Sequence, residues 1–206
     1  MADTVEKMPH DEETNLVRRA KNGDAEAFGA LYDRYVTRIY RFVLLKLGNP
    51  GDAEDLTHEV FLAAWRTMGN YEERSGIRLV SWLYRIAGNR VIDHYRSDKR
   101  NISLDELIAG NTIPIELVAS GGANLVKALS HKMDFQEVME AVQGLTGDQQ
   151  DVIIMRFVED LTPEETGRAM GKSAAAVRLI QHRALEKLKG AMKLRHDEEQ
   201  INRRTA

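Results

Sequence analysis

The chain has 206 residues, 43% of them apolar and 30% charged, which suits one medium or two small folded domains rather than a disordered polymer. It has no cysteine, which excludes a disulfide framework and any thiolate metal site. The net charge of -3 hides an uneven distribution: acids crowd Asp52–Glu59, while from Lys172 to Arg195 Glu186 is the only acid among many cations, so the two segments call for partners of opposite sign.

Residues 1–15 read as a polar tail, and the acids Asp3, Glu6, Asp11, Glu12 and Glu13 make it unlike a signal peptide. Helical periodicity starts near Leu16 and is clear at Phe28, Leu31, Tyr32, Tyr35, Ile39, Tyr40 and Val43. Asn49-Pro50-Gly51-Asp52 interrupts it, and a second helix is expected from Asp52, as N-cap, to about Met68. Its apolar positions cover well over half of the circumference. The remaining window holds Asp52, Asp55 and Glu59 bordered by Leu62, an acidic strip with an apolar edge that suits a basic partner helix.

A polar loop from Gly69 to Arg78 contains Tyr71, Arg74 and Arg78, and a third helix is expected from about Leu79 to Arg96. Together they carry Trp82, Tyr84, Arg85, Asn89, Arg90, Asp93, His94, Tyr95 and Arg96. Aromatic residues interleaved with Arg and Asn make a stacking-plus-phosphate surface of the kind that single-stranded nucleic acid prefers, with core packing the competing role for Trp82. Residues 16–100 therefore form a first helical domain. Residues 101–132, with Gly110, Pro114, Gly121 and Gly122, read as a flexible linker with room for a short helix near Leu104–Ala109.

Periodicity resumes at Phe135, Val138, Met139, Val142 and Leu145, opening a second helical domain over 133–195, with a frayed tail at 196–206. Thr146-Gly147-Asp148-Gln149 and Thr162-Pro163-Glu164-Glu165 both have capping-box spacing, and Pro163 falls at the first helical position. From Thr162 to about Leu188 the pattern is that of a helix-turn-helix. Gly167 is the small residue at the crossing, Gly171 the turn, Ser173 the cap of the second helix, and Val177 and Ile180 its inward anchors. The fold class is all-α, two small helical domains joined by a linker.

On the second helix of this motif Val177, Ile180, Ala184, Leu185 and Leu188 share the inward arc. Ala175, Ala176, Arg178, Leu179, His182 and Arg183 lie outward. N-terminal positions of such a helix read base edges and later cations grip phosphate, so Arg178 is the candidate for base contact, while Arg183 and Lys187 suit phosphate.

Three segments in order resemble the bacterial sigma factors of the sigma-70 family. Asp52-Ala53-Glu54-Asp55-Leu56-Thr57-His58-Glu59-Val60-Phe61 is similar to their core-binding segment. Ser81-Trp82-Leu83-Tyr84-Arg85-Ile86-Ala87-Gly88-Asn89-Arg90-Val91-Ile92-Asp93-His94-Tyr95-Arg96 is similar to their −10-recognition and melting helix, and Leu145 through Lys189 to their −35-reading domain. Order and spacing resemble the two-domain extracytoplasmic-function (ECF) type. The resemblance implies that Asp52, Asp55, Glu59 and Leu62 face the β′ clamp of core RNA polymerase. It implies that Tyr71, Arg74, Arg78, Trp82, Arg85, Asn89, Arg90, Asp93 and Arg96 serve melted −10 DNA. Lys172, Ser173, Ala175, Ala176, Arg178, His182, Arg183 and Lys187 would serve duplex −35 DNA, with the β flap as a second polymerase contact and an anti-sigma factor as a possible regulator. Two departures stand out: His58 where the family commonly has Gln, and Leu179-Ile180-Gln181 where it often has Ser-Arg-Leu. Gln181 projects towards the core, where its amide needs a partner.

The expected function is thus promoter-directed initiation with no catalysis, cofactor or metal, by a protein that is cytoplasmic, monomeric when free and not inserted in a membrane. The alternative is a stand-alone helix-turn-helix regulator, but the N-terminal half lacks the βαβ alternation of a receiver domain. An enzyme is less favoured still, because no His-Glu-x-x-His, Gly-rich phosphate loop or Ser/His/Asp constellation is present.

Overall fold

The computed structural model describes residues 10–72, 78–98 and 140–205, and among them every regular element is helical. Helix α1 spans His10–Lys21, α2 Ala25–Leu47, α3 Pro50–Thr67 and α4 Leu79–Asp98. After helical residues 140–143 come α5 (Gly147–Ile153), α6 (Pro163–Met170) and α7 (Ala174–Thr205). The expected linker and its short helix at Leu104–Ala109 lie outside the described residues.

Helix α2 is the axis of the N-terminal half. Leu31, Tyr35, Ile39 and Phe42 recur at helical spacing and are all buried, and α1, α3 and α4 pack round them. Phe42 meets Tyr84 of α4 edge-on with ring centroids 5.2 Å apart. Burying such side chains stabilises the fold by roughly 1.5–3 kcal/mol each. Asp24 caps α2 by accepting from the Ala27 N–H, and Gly48 ends it at φ 75°, a conformation that costs a side-chain-bearing residue.

Three boundaries differ from the sequence expectation. Helix α1 begins at His10, because Asp11, Glu12 and Glu13 lie in its first turn, where carboxylates favour the helix dipole. Helix α3 is capped by Asn49, not Asp52: the Asn49 side chain accepts from the N–H groups of Gly51 and Asp52, and Pro50 takes the first helical position. At the other end α7 continues to Thr205, where a frayed tail was expected after Arg195.

The C-terminal half is built on two caps and one irregular turn. The N–H of Thr146 donates to Gln149 Oε1, and Thr162 and Glu165 exchange backbone-to-side-chain hydrogen bonds at 3.1 and 2.8 Å. Between α5 and α6 the chain widens over Ile154–Val158, so that the Glu159 N–H reaches back five residues to the Ile154 carbonyl. Asp160 follows at φ 52°, a left-handed conformation unusual outside glycine. The two halves are packed together, α6 against α4 and the wide turn against α2.

Candidate functional site

The helix-turn-helix is formed by α6 and α7. Gly171 turns at φ 67°, and a methyl group at Gly167 would come 2.5 Å from the Lys172 carbonyl oxygen, so only glycine allows this crossing. Ser173 Oγ accepts from the Ala176 N–H and starts α7. Val177, Ala184 and Leu188 are buried beneath, while Ala175, Arg178, Leu179, His182, Arg183 and Lys187 are exposed. Ala176 is half-buried. The Gln181 amide finds its partner in Arg156, whose Nε donates to Gln181 Oε1 at 3.1 Å while its guanidinium also binds the Leu161 carbonyl. Arg156 thus ties the wide turn to α7, a role that local sequence pattern did not signal.

Three cations of this face are held by acids or carbonyls nearby. Arg178 Nη2 lies 2.9 Å from Glu164 Oε1, Lys172 Nζ lies 3.1 Å from Asp148 Oδ2, and Lys187 Nζ donates to the Gly144 carbonyl at 2.7 Å. The Arg178 and Glu164 side chains are 60% and 51% exposed, so this pair is weak.

On α3 the strip is present as expected. Asp55, Glu59 and Leu62 are exposed and Asp52 is partly so, with no cation among the described residues paired to the three acids. Leu62 is 54% exposed and borders an open hollow of about 560 Å³ lined by Phe28, Tyr32, His58, Phe61 and Trp65. Acidic strip and apolar hollow side by side form a surface for a helix that is both basic and apolar.

The third surface, on α4 and the loop before it, is only partly open. Arg85, Asn89, Asp93 and Arg96 are exposed and Arg90 is half-buried; Asp93 and Arg96 pair at 3.6 Å. Tyr71, expected on the nucleic-acid face, is instead buried against Trp82, with centroids 5.1 Å apart, because the 3-10 turn Met68–Asn70 folds it back onto the core. Trp82 itself is half-buried. Arg74 lies outside the described residues. Arg78 reaches across to the C-terminal half, its Nη1 lying 3.3 Å from Glu165 Oε1.

That contact belongs to a larger set which the sequence did not reveal. Glu159, with its side chain 1% exposed, accepts from Arg38 Nε at 2.8 Å and Arg41 Nη1 at 3.2 Å, and its carbonyl accepts from Arg38 Nη2. Lys46 Nζ pairs with Asp151 Oδ1. Burial, with the Glu159 charge beside it, pushes the Tyr84 phenol well above its ordinary range. Burial raises the Asp151 carboxyl despite Lys46. Burial acts upwards on Glu165 too, but the hydrogen bonds from Thr162 and the Arg78 charge outweigh it and hold that carboxyl below its ordinary value.

A helical protein that pairs a basic helix-turn-helix with a separate acidic, apolar-edged helix is the class these features define. Residues 31–101 match Sigma-70 region 2, and residues 141–190 match Sigma-70, region 4. The ECF RNA polymerase sigma factor BldN of Streptomyces coelicolor is 35% identical over 175 residues, covering 84% of this chain and 63% of that protein. The corresponding SigW of Bacillus subtilis is 28% identical over 176 residues, covering 84% and 92%. The fold matches the structure of CnrH in complex with the cytosolic domain of CnrY (TM-score 0.64, 21% identity, 89% of this chain and 99% of that one). It also matches the sigma factor RpoE in complex with the anti-sigma factor NepR from Bartonella quintana (TM-score 0.63, 20% identity, 82% and 98%). The chain belongs to the sigma-70 family of RNA polymerase sigma factors, in its ECF branch.

Proposed function

We propose that the chain is a promoter-specificity subunit: it binds core RNA polymerase and directs initiation by recognising −10 and −35 elements. The observation that carries this is the match of its two halves, in order, to sigma regions 2 and 4. A stand-alone regulator has no use for region 2. The α3 strip of Asp52, Asp55, Glu59 and Leu62 is the polymerase-binding surface, supported by its exposure and by the apolar hollow beside it. Arg85, Asn89, Asp93 and Arg96 of α4, with Arg78 and Arg90, meet the −10 element. Ser173, Ala175, Arg178, His182, Arg183 and Lys187 of α7, with Lys172 in the turn, meet the −35 element.

In this mechanism the chain contributes binding and strand separation, and core polymerase does the chemistry. Divided grips let a modest −35 face suffice, because the second contact forms at the high effective concentration set by the first. No helix among the described residues is long and apolar enough to cross a membrane, and the cytoplasm, where core polymerase works, is the proposed location. An anti-sigma factor is a proposed partner, since the Bartonella relative is bound to one.

Reconstitution with core polymerase on a genomic library, with start sites mapped, tests the proposal. Defined starts dependent on the chain support it. Asp55→Arg with Glu59→Arg abolishes core binding while helicity is kept. A wild-type chain that does not bind core polymerase overturns the reading.

A further inference from the structure

Three consecutive residues of α7 depart from the family pattern, and each is placed differently. Gln181 accepts from Arg156 Nε at 3.1 Å, and Ile180 is half-buried. Leu179, standing where the family often has Ser, is 51% exposed. A lone exposed leucine means little by itself. Its place on the helix decides what it can do.

At ~100° per residue, Ala175, Leu179 and His182 fall on one line, opposite the buried Val177, Ala184 and Leu188. Gln181 on one flank is tied to Arg156, and Lys187 on the other donates to the Gly144 carbonyl at 2.7 Å, so the roll of α7 is fixed. Helix side chains lean towards the N-terminus, which carries Leu179 over the turn that holds Ala175. Ser173, Ala174, Ala175 and Ala176 are all short, so Leu179 projects beyond them. Exposed Arg178 borders this line on one side, and exposed Arg183 and Lys187 border it on the other. An apolar ridge between two cationic edges matches a groove floor between two phosphate backbones.

In this motif the first turns of the second helix lie against base edges in the major groove. Those edges carry hydrogen-bond donors and acceptors at every pair, and one apolar group, the 5-methyl of thymine. Leucine strips water from a donor or acceptor and returns no hydrogen bond, so over guanine, cytosine or adenine it weakens binding. Over a methyl group it buries apolar surface instead. We infer that Leu179 is a specificity-determining residue, which seats on the 5-methyl group of a thymine in the −35 element and sets the base at that step. This deepens the promoter-subunit reading and rests on it. A serine at this position hydrogen-bonds to any base and makes no such choice.

Uracil differs from thymine by that methyl group alone, which makes the test direct. Start sites are mapped with the chain reconstituted on core polymerase, and a labelled duplex spanning one −35 element is prepared. Each of its thymines is replaced in turn by deoxyuridine, and binding of the reconstituted polymerase is followed by fluorescence anisotropy. The expected result is one thymine whose replacement weakens binding about fourfold, the worth of one buried methyl group. That penalty disappears in Leu179→Ala and in Leu179→Ser, while core binding is unchanged and circular dichroism shows full helicity. The wild-type series stands by itself if a variant does not fold.

A −35 element without thymine, or thymines that all tolerate uracil, overturns the inference. So does a penalty that persists in Leu179→Ala, or a Leu179→Ala chain that loses core binding, which would place Leu179 against protein. Chain-dependent starts without a uracil penalty refute the thymine reading alone. If no start depends on the chain, the promoter-subunit reading falls and this inference falls with it.

Discussion

Replacing Gly167 by alanine tests the geometry of the helix-turn-helix at its tightest point. The added methyl would sit 2.5 Å from the Lys172 carbonyl oxygen and 3.4 Å from the Ser173 carbonyl carbon, both backbone atoms that cannot rotate away. Relieving the contact means displacing the turn by about 1 Å, and overpacking of this kind costs about 1–3 kcal/mol. Alanine returns up to about 1 kcal/mol in helix propensity. The net loss is about 1–2 kcal/mol, which for a chain of this size lowers the melting temperature by about 2–8 °C. Gly29, inside α2, supplies the control, because nothing lies within 4 Å of its would-be methyl group. Gly29→Ala therefore raises the melting temperature. Thermal melts followed by circular dichroism read both signs. A Gly167→Ala chain that melts at or above the wild type would refute the steric argument, and with it the placement of α7 against α6.

Arg178→Ala weakens duplex −35 binding by about 1–3 kcal/mol if it reads a base, and relaxes sequence preference at one position, as a binding-site selection experiment would show. Arg156→Leu leaves Gln181 without its partner and frees the Leu161 carbonyl; the expected loss is about 1–3 kcal/mol in chemical denaturation, and Gln181→Leu in the same chain recovers part of it. For Glu165, whose folded carboxyl is held below its ordinary value of 4.5, the sign is fixed. Its contribution to stability is present above that value and is lost as pH falls below it through the folded pKa. Glu165→Gln therefore removes part of the acid sensitivity between wild type and variant melts, and identical pH profiles contradict the assignment.

Much of the helix-turn-helix was legible because its determinants are local. Thr162, Pro163, Glu165, Gly167 and Gly171 each do their work within a few residues, which is the range over which caps and turns act. The acidic strip on α3 was legible for the same reason: one helical period sorts Asp52, Asp55 and Glu59 from the apolar side. Glu159 was not. It looks like an ordinary loop acid, and its partners Arg38 and Arg41 sit on a helix whose periodicity says only that they flank a core. Tyr71 was misplaced because composition shows an aromatic near cations but not which way a 3-10 turn swings it. The cap of α3 shows the limit of spacing alone: Asn49 and Asp52 both cap well, and Pro50 at the first helical position decides for Asn49.

Helix α7 does not end where its motif ends. It runs unbroken from Ala174 to Thr205, 32 residues or about 48 Å at the rise of an α-helix. The turns proposed to read DNA occupy its first half, so the distal turns form a lever arm fixed to them. A rotation imposed on the far end would reach those first turns with little loss, because one hydrogen-bonded rod carries both.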